Sequence, residues 1–233
     1  MKASEKNAEK TVLFLDLETV GQHHSLSNAG EVTYQFWQKK AAQIDRQAEF
    51  GPAVLYRKKA GIYAEFGKIV TIGVGFIRSN QHAEKQLIIS DFSGDDEPEV
   101  LKKFIKFIEN NFNQEHLYLC AHNGKEFDFP YLCRRMIINE IPIPKVLSLS
   151  GKKPWEIKHI DTMEMWKFGD RKQYTSLDLL AYILNIPSSK TEIDGSQVHD
   201  VYYEQKNLNK IATYCRKDVE VTARVFMKLG VNN

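Results

Sequence analysis

Residues 11–19, Thr11-Val12-Leu13-Phe14-Leu15-Asp16-Leu17-Glu18-Thr19, decide how the rest of the chain is read. The run is apolar until it reaches two acids, and it alternates like a strand. Side chains two apart on a strand share a face, so Asp16 and Glu18 point the same way at the end of a buried central strand. Two like charges so close repel and raise each other's pKa. A hard divalent cation between them removes that penalty, because Mg²⁺ and Mn²⁺ favour carboxylate oxygens. An Asp-x-Glu pair alone also fits a strand end whose acids are dissolved in solvent. The remaining acids have to decide between the two.

The chain has 233 residues, the length of one large α/β domain. Its 42% hydrophobic content supports a substantial core and excludes a disordered protein. A formal net charge of +2 means that no global field demands nucleic acid. Basic residues cluster at Lys39-Lys40, Arg57-Lys58-Lys59, Lys102-Lys103, Arg134-Arg135 and Lys152-Lys153, each read as a solvated face before a phosphate contact. Cys120, Cys133 and Cys215 have no paired spacing and read as reduced, buried thiols of a cytoplasmic protein. The opening decapeptide lacks an apolar stretch and reads as a frayed tail, not a secretory signal. No apolar run has membrane-spanning length, so no membrane partner is expected.

The organisation expected is a single domain over 11–233. Strands are predicted at 11–17, 68–77, 85–89 and 117–121, with a turn around Ser79-Asn80. A helix is predicted over 99–111 after Pro98, and another over 129–139 between Pro130 and Pro142. Thr175-x-x-Asp178 reads as a capping box opening a helix through Ile183. The last helix is predicted over 207–229, stopped by Gly230. Residues 22–66 are too long for a strand connection. They read as an insertion covering one side of the sheet, with short helices at 34–37 and 44–50. Strands that meander first and then alternate with helices give a mixed sheet flanked by helices.

Two further acidic positions fall at ends of this frame. Asp128 lies in His122-Asn123-Gly124-Lys125-Glu126-Phe127-Asp128, where the chain turns after the fourth strand and enters a helix. Its plain role there is a helix cap. Tyr214 and Asp218 are four apart on the last helix and stack on one face, which Val221 and Val225 continue inward. An inward carboxylate is costly unless paired or metal-bound; a Tyr–Asp hydrogen-bonded pair is the alternative. Taken together, Asp16, Glu18, Asp128 and Asp218 converge on one region. Such a set suits two Mg²⁺ or Mn²⁺ ions about 4 Å apart that clamp the attacking and leaving oxygens of a phosphodiester. Zinc would prefer His and Cys.

These motifs resemble the DEDD superfamily of 3′–5′ exonucleases, in its tyrosine-bearing branch. Phe14-Leu15-Asp16-Leu17-Glu18-Thr19 is similar to the first exonuclease motif, His122 to Asp128 to the second, and Tyr214-x-x-x-Asp218 to the third. The flavour is that of the proofreading exonuclease domain of family-B DNA polymerases, as a stand-alone relative. The resemblance covers about 11–229 except 22–66. It implies an RNase H-like fold and two divalent cations, Mg²⁺ or Mn²⁺, as cofactors. Asp16 would bridge both ions, Glu18 and Asp218 would complete the first site, and Asp128 would hold the second. Tyr214 would orient the attacking water, and Thr19 and Asn123 would position the terminal nucleotide. Phe127 packs or stacks a base. The substrate implied is nucleic acid, DNA before RNA, shortened to nucleoside monophosphates.

The same residues also fit two other functions: a 3′–5′ exoribonuclease acting on short RNA, and a nucleic-acid-binding module without catalysis. Asp161 or Thr162 reads as a helix cap, His122 as a packed histidine, His23-His24 as loop, and Trp37, Trp155 and Trp166 as core or lid residues.

Overall fold

The protein is described by a computed structural model covering residues 10–79, 84–170, 174–187 and 193–230. Among these residues five strands form one sheet in the order β3-β2-β1-β4-β5. They are β1 Thr11–Gly21, β2 Gly67–Ser79, β3 Lys85–Ser93, β4 Leu117–Ala121 and β5 Ile160–Asp161. The first strand is central, antiparallel to β2 and parallel to β4. The result is the mixed, helix-flanked RNase H-like sheet that the sequence implies. Strands β1 to β3 run further than their apolar pattern. The ladder between β2 and β3 continues through Ser90, Asp91 and Ser93, where backbone pairing persists after the apolar signal stops. The expected turn at Asn80 lies outside the described residues, as does the tail at 1–9.

Alternation along β1 sorts its side chains between two layers. Leu13, Leu15 and Leu17 join the main core with α3 (Glu97–Asn111) and α4 (Asp128–Ile138). Phe14, on the other face, packs against Val219 and Ala223 of α8 (Leu208–Gly230). Asp16 and Glu18 share the Phe14 face and therefore look towards α8. Gly73 of β2 is the register partner of Asp16. A Cβ there would lie 2.8 Å from both Cys215 Sγ and Val219 Cγ2. The bare backbone at Gly73 lets α8 lie close enough to bring Asp218 to the sheet.

The remaining helices are α1 (Glu31–Ile44), α2 (Pro52–Lys59), α5 (Thr162–Lys167), α6 (Leu177–Ile183) and α7 (Val198–Tyr203). Both α1 and α2 lie within residues 22–66, a segment with its own core of Trp37, Tyr56, Leu55 and Leu26. The expected helix at 44–50 is instead the link between α1 and α2, where Asp45 accepts from the Phe50 backbone N–H (2.6 Å). Helix formation resumes only at Pro52, which suits a first helical turn.

Other boundaries moved for local reasons. The cap of α6 is Ser176, which accepts from Leu179 N–H, and not the expected Thr175. Helix α3 begins at Glu97, capped by Asp96. Asn207 accepts from Lys210 N–H at the start of α8 (3.0 Å), and Gly230 is the last helical residue, not the one beyond it. Arg135 is no solvated cation. It is buried in an ion pair with Glu97 and also donates to the Ala64 carbonyl (2.7 Å). Cys120 and Cys215 are buried, whereas Cys133 is only half-buried. Trp37 is core, but Trp155 is 78% exposed. Among the described residues, no helix is long and apolar enough to cross a membrane.

Candidate active site

One cleft of about 510 Å³ opens at the end of β1. Asp16, Glu18, Thr19, Asn123, Phe127, Asp128, Tyr214 and Asp218 all line it. The acids arrive from three elements. Asp16 and Glu18 come from the α8-facing side of β1. Asp218 comes from the buried face of α8, only 9% exposed. Asp128 is the first residue of α4, whose N-cap is Phe127. The capping role expected of Asp128 is therefore not what it does. Strand β4 pairs with β1 only as far as Phe14, which leaves the later edge of β1 open. The Asp128 carboxylate accepts a hydrogen bond from the Leu17 backbone there.

Charge is crowded at this point. Burial pushes the Asp16 carboxyl well above the usual carboxylate range, and the charges of Asp218, Glu18 and Asp128 push it further. Burial, then Asp218 and Asp128, do the same to Glu18. Asp128 is raised to about 7 by burial, with help from Asp161 and Asp218 and against its backbone hydrogen bonds. Asp16 Oδ2 is buried and has no hydrogen-bond partner, and neither has Asn123 Oδ1. Buried polar atoms normally find partners, so an orphan carboxylate oxygen among three other acids fits a cation site. The donors are oxygens, the set that hard divalent ions prefer. Cys215 also lies within 4.8 Å of Asp16 and Glu18 donor atoms. Its thiol donates to the Asp16 carbonyl (3.4 Å), and burial holds it protonated.

Tyr214 is half-buried beside Asp218, with its hydroxyl as hydrogen-bond partner of that carboxyl. Burial first, then Asp218, Glu18 and Asp16, raise the phenol far above its ordinary value. It stays a hydroxyl at neutral pH. Thr19 Oγ1 donates to the Gly61 carbonyl (2.8 Å), so it anchors the end of the 22–66 segment at the cleft edge. The Phe127 ring tilts against Tyr131 with centroids 5.3 Å apart.

The second-motif loop is held by Asp161. Its carboxylate accepts from the backbone N–H groups of Asn123 (3.0 Å), Lys125 (3.2 Å) and Met163 (2.9 Å). The cap role foreseen for Asp161 is present, and the grip on the loop is an addition that sequence spacing does not show. His122 is packed as foreseen, between Thr162 Oγ1 (2.9 Å) and the Thr175 carbonyl (2.8 Å). Sequence reading missed Ile62, Tyr174, Ser196 and His199, which also line the cleft. His199 Nδ1 accepts from Gly21 N–H (3.3 Å), so its Nε2–H donates to the His24 carbonyl (3.0 Å). It was a lone histidine with no spaced partner. The basic wall is Arg57, Lys58 and Lys59 of α2. Arg57 is bound to Asp200 (2.8 Å) and Glu204 (3.4 Å).

Acids gathered at the end of the central strand of a mixed sheet, with another on a crossing helix, make a carboxylate-lined cleft in an α/β domain. The chain belongs to the family described as predicted 3′-5′ exonucleases related to the exonuclease domain of PolB, which matches residues 62–232. Helices α1 and α2 fall outside that match. Among solved structures, the chain is similar to the family B DNA polymerase from the hyperthermophilic archaeon Pyrobaculum calidifontis, with a TM-score of 0.58 and 14% identity. The similarity covers 97% of this chain and 25% of the polymerase chain, so this protein spans about a quarter of that enzyme's length. At that identity the likeness is one of fold.

Proposed function

We propose that the cleft hydrolyses the terminal phosphodiester of a nucleic-acid strand from its 3′ end, DNA in preference to RNA, and releases nucleoside monophosphates. The observation that carries this reading is the orphan Asp16 Oδ2 among the carboxyls of Glu18, Asp128 and Asp218. Asp16, Glu18 and Asp218 would hold one divalent ion and Asp16 with Asp128 a second. Such ions supply water activation and charge neutralisation at the leaving oxygen. The protein's own groups do the rest. Tyr214, kept protonated, holds the attacking water through its hydroxyl. Asn123 Oδ1 offers an unused acceptor to the terminal sugar. Asp161 fixes the loop that carries Asn123. The direct experiment is digestion of matched end-labelled single-stranded DNA and RNA with Mg²⁺, Mn²⁺ or chelator. Stepwise shortening of DNA from the 3′ end, only with metal, is the expected result. Faster loss of RNA would reassign the substrate, and binding without cleavage in either metal would make this a binding module.

Tyr214→Phe is expected to lower kcat about 10²-fold, the scale of a positioned acid–base or orienting group, with KM nearly unchanged. The ring, packed against the cluster that includes Val20, Val70, Val198 and Val201, stays in place. A raised KM with an unaltered kcat would show instead that Tyr214 binds the strand.

The insertion would shape the substrate path through its basic wall. Lys58 and Lys59 are exposed and line the cleft. Their plain role is to complement the C-terminal end of α2. If they meet phosphates, Lys58→Glu with Lys59→Glu should weaken binding of long single strands. The slope of log affinity against log salt should also flatten by about 0.7 per lost contact. An unchanged slope would make them scaffold. Arg57 is kept out of this test because its reversal would also break the tie to α7.

A further inference from the structure

Ile62 and Tyr174 are the two large apolar side chains, among the described residues, that are both strongly exposed and part of the acid-lined cleft. Ile62 is 47% and Tyr174 69% exposed. Neither belongs to any of the hydrophobic clusters of the fold. Their apolar surface has therefore been left in water beside the carboxyls instead of being folded away.

Each is a chain neighbour of a residue held by specific hydrogen bonds. The carbonyl of Gly61 accepts from Thr19 Oγ1 and from the Tyr131 hydroxyl, each at 2.8 Å. A Cβ on Gly61 would lie 3.0 Å from the Thr19 carbonyl oxygen, so the close approach to β1 suits glycine. Ile62 follows directly and is set at the rim by that contact. Tyr174 precedes Thr175, whose carbonyl accepts from His122 Nε2 (2.8 Å). Burial keeps His122 neutral, so its Nδ1 accepts from the Thr162 hydroxyl (2.9 Å). Tyr174 is thus one residue from a point tied to both the second-motif loop and α5.

We propose that Tyr174 and Ile62 are base-contact residues, which take the faces of unpaired bases at the 3′ end while the Arg57–Lys59 wall meets the backbone. This rests on the nuclease reading above and adds to it the two residues that hold the strand. Aromatic stacking beside a basic groove is how single strands are bound without sequence preference, because every base has a π-face. An aliphatic side chain covers a base face by simple apolar contact. A base pair buried inside a duplex stack offers neither face.

The test measures binding in chelator, so that no strand is cut. The probes are a 5′-labelled single-stranded DNA and the same strand with its last three nucleotides abasic, read by fluorescence anisotropy. The unmodified protein should bind the intact strand about tenfold more tightly than the abasic one, the scale of one or two stacked bases. Tyr174→Ala should lose most of that difference and Ile62→Ala part of it, with affinity for the abasic strand unchanged. Tyr174→Phe should retain it, and the salt slope should be the same in all variants. Equal binding of the two probes by the unmodified protein would overturn the proposal, and this arm needs no variant to fold. So would an equal loss for both probes in Tyr174→Ala. Failure of cleavage in both Mg²⁺ and Mn²⁺, with base-dependent binding intact, would defeat the nuclease reading and leave Tyr174 and Ile62 as base contacts of a strand-binding cleft.

Discussion

Asp16→Asn is expected to lower turnover by about 10³-fold or more, while raising the melting temperature of the metal-free protein. The first half follows from the shared position of Asp16. A bound ion contributes several kcal/mol to transition-state charge stabilisation, and each 1.36 kcal/mol is tenfold in rate. An amide at this position removes one charge facing both proposed ions. The second half follows from the repulsion. Burial, Asp218, Glu18 and Asp128 all oppose ionisation of Asp16. A neutral side chain of the same shape lifts that penalty, and relief of about 1 kcal/mol raises the melting temperature of a chain of this size by about 2–4 °C. The two halves separate function from folding. A variant that is inactive because it is misfolded would melt lower, not higher. Turnover close to that of the unmodified protein would remove Asp16 from the chemistry. A lower melting temperature would mean that its carboxyl is a structural partner.

The strand carrying Asp16 was readable because its periodicity is strict. Leu13, Leu15 and Leu17 alternate with Phe14, Asp16 and Glu18, and no other local structure accommodates that pattern so well. The inward face of α8 was readable for the same kind of reason, since Tyr214, Asp218, Val221 and Val225 recur at helical spacing. Local pattern says nothing about what lies next to an element. The grip of Asp161 on the Asn123 loop joins residues 38 apart, and Gly73 matters only because α8 lands on it. Neither contact leaves a mark in spacing. For Asp128 a helix cap was the plain alternative to its place among the acids, because Asp before Pro near a helix start is a common cap signal, but the N-cap is Phe127. The Asp128 carboxylate accepts from its own backbone and from the backbone of Leu17, left bare by the short β4. Ile62, Tyr174 and His199 were missed for a related reason: each is a single residue in an irregular or very short segment, and only the closure of the cleft gives it a meaning.

The metal-free protein is expected to lose stability as pH rises from about 4 to about 8, and added Mg²⁺ or Mn²⁺ should reverse the trend. The sign follows from proton counting. Unfolded Asp and Glu titrate near 3.9 and 4.3. In the folded protein Asp128 titrates at about 7, and burial raises Asp16 and Glu18 well above their ordinary values. Between those limits the folded state binds more protons than the unfolded state, so stability falls as pH rises. Above the folded values the penalty is complete, and below about 4 it is absent. A cation requires the ionised carboxyls, so its affinity grows over the same interval. Its stabilisation follows the logarithm of occupancy. Melting curves taken with metal and with chelator should therefore diverge through pH 7. Groups elsewhere that titrate in this window shift both curves alike and cancel in the difference. Asp128→Asn should narrow the gap, and excess chelator should abolish cleavage at every pH. Parallel curves would mean that no cation is held by these carboxyls, and cleavage surviving in chelator would mean that the chemistry does not depend on one.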